Sequence, residues 1–328
     1  MRSIRQTFCF WRMVQDRLPF AAANLTVSCA ALKAHPSTGC IVLGSMVASV
    51  VWVILWVLAL VGIDRVSSNG LSFLPAFGLL VSFYWGGMVC KNVSHVTISG
   101  AVGSWWFHPP DQQDSGTVCN AFARATTSSF GSIAFGSLLV AILEAIRAVL
   151  RSMMRQTRNP IMMCVVCCTQ CLLRYVEMLL QFINRYAFVY VAIYGDDFVT
   201  AGRKVKEMFE ARGFWVTVVN DIVLDRCLSL GLVAIALLSG VAGYGMGIAV
   251  GSGSAAVTLA VFGALVGLLM ASVSIGAVES GVACVYVAFG EEPGALRENH
   301  PGEFELLYNG WNHLYPQIVN GMCTGVMA

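Results

Sequence analysis

Ionisable and aromatic side chains interrupt long apolar stretches of this sequence, and they are the groups whose types and spacing allow chemistry. Glu144, Glu279, Lys91 and His95 lie within or beside apolar runs. An ionisable group at membrane depth is costly and by default marks function, so Glu144, Glu279 and His95 are candidates for coupling a proton or ion to substrate movement. The two carboxylates also have plainer readings. Glu144 precedes Arg147 by three residues and can be paired with it on one helical face, and Glu279 closes an uncharged run and can lie near an interface. The aromatic candidates are Phe83, Tyr84 and Trp85, then Trp105 and Trp106, then Tyr186, Tyr190 and Tyr194. Rings lining a cavity attract quaternary ammonium cations by about 2 kcal/mol or more when desolvated. Tyr84, Trp85, Trp105 and Tyr190 are therefore candidate substrate-binding residues. Trp105 and Trp106 also suit an interfacial belt beside His108-Pro109-Pro110, and the tyrosine stripe also suits packing.

Twelve cysteines are present, most of them in predicted helices or cytoplasmic segments where thiols stay reduced, so they form no disulfide framework. Cys164-x-x-Cys167-Cys168-x-x-Cys171 has zinc-like spacing but lacks a matching second pair or His. Juxtamembrane acylation or apolar filling accounts for it better, and no metal is assigned. No phosphate loop, nucleophile elbow or His-Glu-x-x-His motif occurs, so neither an enzyme nor a cofactor is expected.

These residues need elements to hold them, and the composition says which. Of 328 residues, 57% are hydrophobic and 12% charged, against roughly 25% charged in soluble domains. Mean hydropathy is +0.72, and the net charge of +2 gives no footing for nucleic acid. No Asp, Glu, Lys or Arg occurs over the 52 residues from Cys227 to Val278, enough for two crossings of about 20 residues each. Residues 41–63 and 71–90 are likewise uncharged, and 130–150 is mostly apolar. Backbone in lipid must satisfy its own hydrogen bonds, and no period-two alternation is present, so the fold class is an all-α polytopic transmembrane bundle of about six to eight segments.

Fourteen of the 20 basic residues fall in three segments: Arg2, Arg5, Arg12, Arg17 and Lys33; Arg147, Arg151, Arg155 and Arg158; and Arg203, Lys204, Lys206, Arg212 and Arg226. The positive-inside rule places all three in the cytoplasm. Crossings at 41–63, 71–90, 93–107, 130–150, 227–250 and 255–284 then leave both termini inside, provided 159–200 crosses twice or not at all. That segment reads as a helical pair or as a surface helix with a re-entrant piece, and 93–107 as a short crossing or half of a broken helix. The expected organisation is a cytoplasmic segment 1–40, a helical domain 41–285 and a cytoplasmic tail 286–328. The sequons at Asn24 and Asn92 are expected to be unglycosylated. Small residues recur at four-residue spacing in Ser132/Gly136, Gly247/Gly251, Gly263/Gly267 and Gly276/Ser280, which favours close helix packing. The denser run from Gly240 to Gly247 also suits an unwound helix.

Several ordered blocks resemble the choline transporter-like family, solute carrier family 44, whose fungal branch includes Pns-type proteins. VSFYWGGMVCKNVSHVTISGAVGSWWF (81–107) is similar to the family's signature helix. SSFGSIAFGSLLVAILEAIR (128–147), RYVEMLLQFINRYAFVYVAIYGDDF (174–198), EEPGALRENHPGEFELL (291–307) and LPFAAANL (18–25) resemble further family segments. Asp196 and Asp197 depart from the family pattern, which commonly has Lys or a polar residue after Ile-Tyr-Gly. The resemblance covers nearly all of this chain but corresponds to the later part of the family's usual chain. It implies a multi-pass plasma-membrane carrier of choline or a related small amine, surrounded by the lipid bilayer and moving substrate down its gradient or in exchange for protons. A broken helix around Gly86-Gly87 and Gly100 would then set Trp85, Tyr84 and Trp105 about the cation. The competing expectation is a truncated or inactive multi-pass protein serving as a scaffold. Oligomeric state is not legible in the sequence.

Overall fold

A computed structural model of the chain describes residues 17–66, 73–112, 116–156, 160–212, 215–249, 253–317 and 319. Arg2, Arg5, Arg12, Arg158 and Gly251 lie outside the described residues. Among the described residues there are eleven α-helices and no strand. They are α1 (Leu18–Ala34), α2 (Thr38–Val66), α3 (Phe73–Phe107), α4 (Thr117–Thr126), α5 (Phe130–Gln156) and α6 (Pro160–Tyr194). After them come α7 (Phe198–Arg212), α8 (Trp215–Ala249), α9 (Gly253–Glu291), α10 (Pro293–Asn299) and α11 (Pro301–Leu314).

Among the described residues six helices are long and apolar enough to cross a membrane: Thr38–Gly62, Leu74–Phe107, Phe130–Arg155, Ile161–Tyr194, Cys227–Ala249 and Ala255–Glu291. Two sequence expectations change. The stretches 71–90 and 93–107 belong to one continuous helix, because α3 runs unbroken through Gly86, Gly87 and Gly100. Segment 159–200 is one crossing helix followed by a turn at Gly195, which takes φ 73. Its charged residues did not force a hairpin, since a 34-residue span is about 51 Å long and reaches well past a hydrocarbon core of about 30 Å. The two differences offset each other in the crossing number, which remains even, but not in sidedness. Because α5 becomes the third crossing, Arg147, Arg151 and Arg155 at its end cannot share a side with Arg17 and Lys33 before α2 or with Arg203, Lys204 and Lys206 after α6. The expectation of one side for all three basic segments therefore fails.

The chain divides into two compact units. One comprises residues 43–101 and 115–206 and contains α2, most of α3, and α4 to α6. The other comprises residues 1–42, 102–114 and 207–328 and contains α1, α8 to α11 and the last turns of α3. In the second unit α8 and α9 form a hairpin whose backbones nearly touch. A Cβ placed on Gly243 would run into the Leu259 carbonyl, one on Gly247 into Ala256, and one on Gly263 into the Ser239 carbonyl. The Gly240–Gly247 run is thus a packing face on a continuous helix, not an unwound stretch; Gly245 faces open space. At Gly276 nothing lies within 4 Å, and the close approach falls instead at Gly281, against Ser28 of α1.

The same unit holds an aromatic core in which the Trp311 ring lies 5.1 Å from Phe20, 4.8 Å from Phe289 and 5.8 Å from Tyr286. The Trp311 indole N–H donates to Asn24 Oδ1 at 3.2 Å, and Asn24 Nδ2 donates to the Phe20 carbonyl at 2.7 Å. Both ends of the Asn24 amide are thereby engaged inside the core, which explains a polar residue with no exposed surface.

Candidate functional site

Within the first unit, α3 presents three faces to three neighbours. Successive residues on a helix are about 100° apart, so Phe83 and Gly86 share one face while Trp85 and Asn92 share another. The first face meets α2: Trp52 lies over Gly86 and donates its indole N–H to the Phe83 carbonyl at 3.3 Å, and the Trp56 ring stands 4.8 Å from Phe83. The second meets α5, with Trp85 Nε1 donating to the Ala134 carbonyl at 2.9 Å and Asn92 Nδ2 to Ser137 Oγ at 2.8 Å. The third meets α6, where His95 Nε2 lies 2.9 Å from the Arg185 carbonyl. From α6, Asn184 Nδ2 donates to the Gly136 carbonyl at 2.9 Å. These bonds form a polar seam inside three apolar helices, a placement that in membranes either fastens helices or lines a substrate path.

Asn184 is 4% exposed, and its Oδ1 is buried with no hydrogen-bond partner among the described residues. A buried orphan acceptor costs about 1–3 kcal/mol, so this oxygen is suited to a donor from water or from substrate. Gly136 beside it is a notch filled by the Phe188 and Phe198 rings, so the Ser132/Gly136 spacing seats rings and not a second backbone. Lower in the seam, Arg147 of α5 pairs with Glu177 of α6, and Gln181 Nε2 adds a 3.1 Å bond to Glu177. Arg147 therefore pairs with Glu177, across to α6, and not with Glu144 three residues earlier; Glu144 is half-buried on α5.

The remaining candidates are placed as follows. Tyr84 is half-buried, its ring 5.4 Å from Phe83. Trp85 keeps 37% of its surface exposed although its N–H is bonded. Tyr190 is buried with its ring 5.5 Å from that of Tyr194. Trp105 and Glu279 belong to the other unit. There Trp105 stacks on the His300 ring at 3.9 Å, and its carbonyl lies 2.9 Å from His300 Nε2. Trp106 donates its indole N–H to the Glu292 carbonyl at 3.1 Å and accepts from Asn299 Nδ2 at 3.1 Å. Both indoles are buried, which overturns the interfacial-belt reading: a belt residue keeps its ring toward headgroups. Glu279 is half-buried on α9.

Between Tyr194 and α7 the two unexpected aspartates have structural duties. Asp197 Oδ2 accepts from the Thr200 backbone N–H at 3.1 Å and caps α7; bonds from Thr200 hold its carboxyl below the usual range. Asp196 accepts from Lys204 Nζ at 2.7 Å, and that ammonium stands 5.7 Å over the Tyr194 ring. A nearby cavity lined by Gly100, Arg124, Ser129, Val191 and Gly195 has a volume of about 40 Å³. That is room for water, whereas drug-sized ligands occupy pockets of about 300 Å³ or more. Charge-based reasoning pointed to Glu144, Glu279 and His95 and passed over Asn92, Ser137 and Asn184. The signal for these was an uncharged polar residue in an apolar helix, at one-turn spacing from other small or polar residues.

Six helices of crossing length, three of them fastened by a buried polar seam, define a polytopic α-helical integral membrane protein. Residues 4–294 match the family described as plasma-membrane choline transporter. The chain is 31% identical over 343 residues to Protein PNS1 of Gibberella zeae, covering 95% of this chain and 61% of that protein. It is 30% identical over 342 residues to Protein PNS1 of Cryptococcus neoformans (96% and 61%) and 30% over 309 residues to a CTL-like protein of Dictyostelium discoideum (93% and 54%). The chain belongs to the choline transporter-like family. It spans about 61% of the length of the first of these relatives.

Proposed function

We propose that this protein carries choline or a related small organic amine across the plasma membrane along the polar seam of α3, α5 and α6. The observation that carries the reading is the family match over residues 4–294, and the seam supports it because polar groups at membrane depth otherwise serve only to fasten helices. Trp85 offers an exposed ring for cation–π attraction while its N–H is anchored to Ala134. Tyr84 and Tyr190 are proposed as further aromatic contacts, and Asn184 Oδ1 as the acceptor for a hydroxyl donor such as that of choline. Glu144, Glu279 and His95 are proposed to respond to protons during transport. Both termini are assigned to the cytoplasm: six crossings return the chain to its starting side, and Arg17 and Lys33 before α2 together with Arg203, Lys204, Lys206 and Arg212 after α6 lie on that side, outnumbering Arg147, Arg151 and Arg155 at the end of α5 on the other.

Labelled choline uptake in a choline-uptake-deficient host tests this, at two external pH values and with excess unlabelled ethanolamine as competitor. Saturable uptake is expected in the wild type. Trp85→Phe, which keeps a ring but removes the anchoring N–H, should lose less affinity than Trp85→Ala, whose affinity should fall by about tenfold, as about 1.4 kcal/mol of lost cation–π attraction requires. Absence of uptake by well-inserted protein would remove the transport reading for this chain.

A further inference from the structure

Where α3, α4 and α6 meet, the small cavity of about 40 Å³ borders on a positive charge that the transport reading does not use. Gly100 of α3 makes the room. A Cβ there would stand 3.2 Å from Ala121 Cβ, 3.6 Å from Arg124 Nη2 and 3.7 Å from the Ala192 carbonyl oxygen, so the guanidinium of Arg124 reaches from α4 into the angle between α3 and α6. Among the described residues no carboxylate pairs with it. Asp196 and Asp197, which follow the turn at Gly195, are engaged by Lys204 and by the Thr200 N–H.

A second donor comes from the turn between α4 and α5. Ser129 is 8% exposed and is the N-cap of α5, its carbonyl accepting from the Ile133 N–H at 3.1 Å. An N-cap serine ordinarily gives its side-chain oxygen to an N–H of the first turn. Here the hydroxyl has no hydrogen-bond partner among the described residues, and Ser129 lines the cavity. A buried hydroxyl left unsatisfied is costly, so its partner belongs inside that space. Guanidinium and hydroxyl can both donate there, the positive end of the α5 dipole lies beside Ser129, and the side chains of Val96, Ala121 and Val191 supply no competing acceptor.

We infer that this cavity binds a chloride ion, held by the Arg124 guanidinium and Ser129 Oγ, whether or not the protein transports choline. The space takes one water or a monatomic ion, whereas a carboxylate or phosphate brings several oxygens that need more donors than two side chains provide. The charge of Arg124 excludes a metal cation. A halide gives up water readily enough to accept apolar walls on its other sides. Because Arg124 is exposed, the ion has a route from solvent, and occupancy follows the chloride concentration. The transport reading adds a use for it. Gly100 lies about 7.5 Å beyond His95 along α3, so the bound anion offsets, at the end of the polar seam, a charge that repels a cationic solute.

The test uses the purified full chain and needs no transport. Apparent melting temperature is followed while sodium chloride replaces sodium gluconate at constant ionic strength. The wild type should show a saturable rise with chloride and with bromide, and none with sulfate. Arg124→Gln should raise the half-saturating chloride concentration by about tenfold or more, the loss of one charge-assisted hydrogen bond, and Ser129→Ala should raise it by less. Crystals of the wild type soaked in bromide locate the ion without any variant, by an anomalous peak within hydrogen-bond distance of Arg124 and Ser129. A wild type indifferent to chloride, the same response to sulfate, an unaltered response in Arg124→Gln, or a cavity holding water alone in the bromide-soaked crystal would overturn the inference.

Discussion

The α8–α9 hairpin and the α3/α5/α6 seam face the same difficulty, since lipid gives apolar helices no hydrophobic reason to associate. The hairpin meets it by removing side chains: Gly243, Gly247 and Gly263 let backbone reach backbone. In the seam, Asn92, Asn184, Trp85 and His95 reach across to Ser137 and to the carbonyls of Gly136, Ala134 and Arg185. Close backbone packing tolerates no added volume, whereas hydrogen-bonded side chains tolerate exchange one at a time. A region fastened by backbone contact and a region fastened by side-chain hydrogen bonds are therefore distinguishable from their contacts.

The largest effect should come from adding volume to the hairpin. Gly243→Leu drives a side chain into the Leu259 carbonyl and should abolish monodisperse protein in detergent chromatography, while Gly245→Leu, on the open face of the same helix, should leave the elution profile intact. Equal behaviour of the two would break the contrast. Next comes Arg147→Ala, which strands the mostly buried Glu177 carboxylate and should cost about 3 kcal/mol. Coupling that change to Glu177→Leu should recover much of the loss in thermal unfolding of the solubilised protein. Asn92→Ala removes a single interhelical bond and should cost about 1 kcal/mol, a small fall in apparent melting temperature without loss of yield.

The smallest effect concerns pH. His35, between α1 and α2, is buried, its Nε2 has no hydrogen-bond partner among the described residues, and burial lowers its pKa below 6.5. Its neutral form is the one the fold accepts. Its contribution is fully present above pH 6.5 and is lost as pH falls toward the lowered folded value. Melting temperature should decline modestly between pH 7 and pH 5, and His35→Gln should flatten that part of the profile.

The helical class was legible because charge exclusion over 227–278 admits no soluble explanation, and the family was legible in the run 81–107 and its companion blocks. Helix continuity was not. Gly86, Gly87 and Gly100 suggested a break in α3, yet isolated glycines cost a helix only about 1 kcal/mol each, and Trp52 packs over Gly86. In 159–200 the count of charges obscured a single long helix whose Glu177 is neutralised by a partner 30 residues away, information no local window contains. Trp105 and Trp106 were misplaced at a lipid interface for the same reason: their cover comes from His300, Glu292 and Asn299, far along the chain.

That distance has a consequence in time. The bonds joining Trp105 and Trp106 to residues 292–300 span 186 to 195 positions. At synthesis rates of about 5–20 residues per second, the two indoles wait about 10–40 s after translation before the groups that cover them exist. During that interval the end of α3 is an exposed apolar surface in a partly inserted chain, so a ribosome stalled near codon 290 would leave a species that quality-control machinery can tell apart from the finished protein.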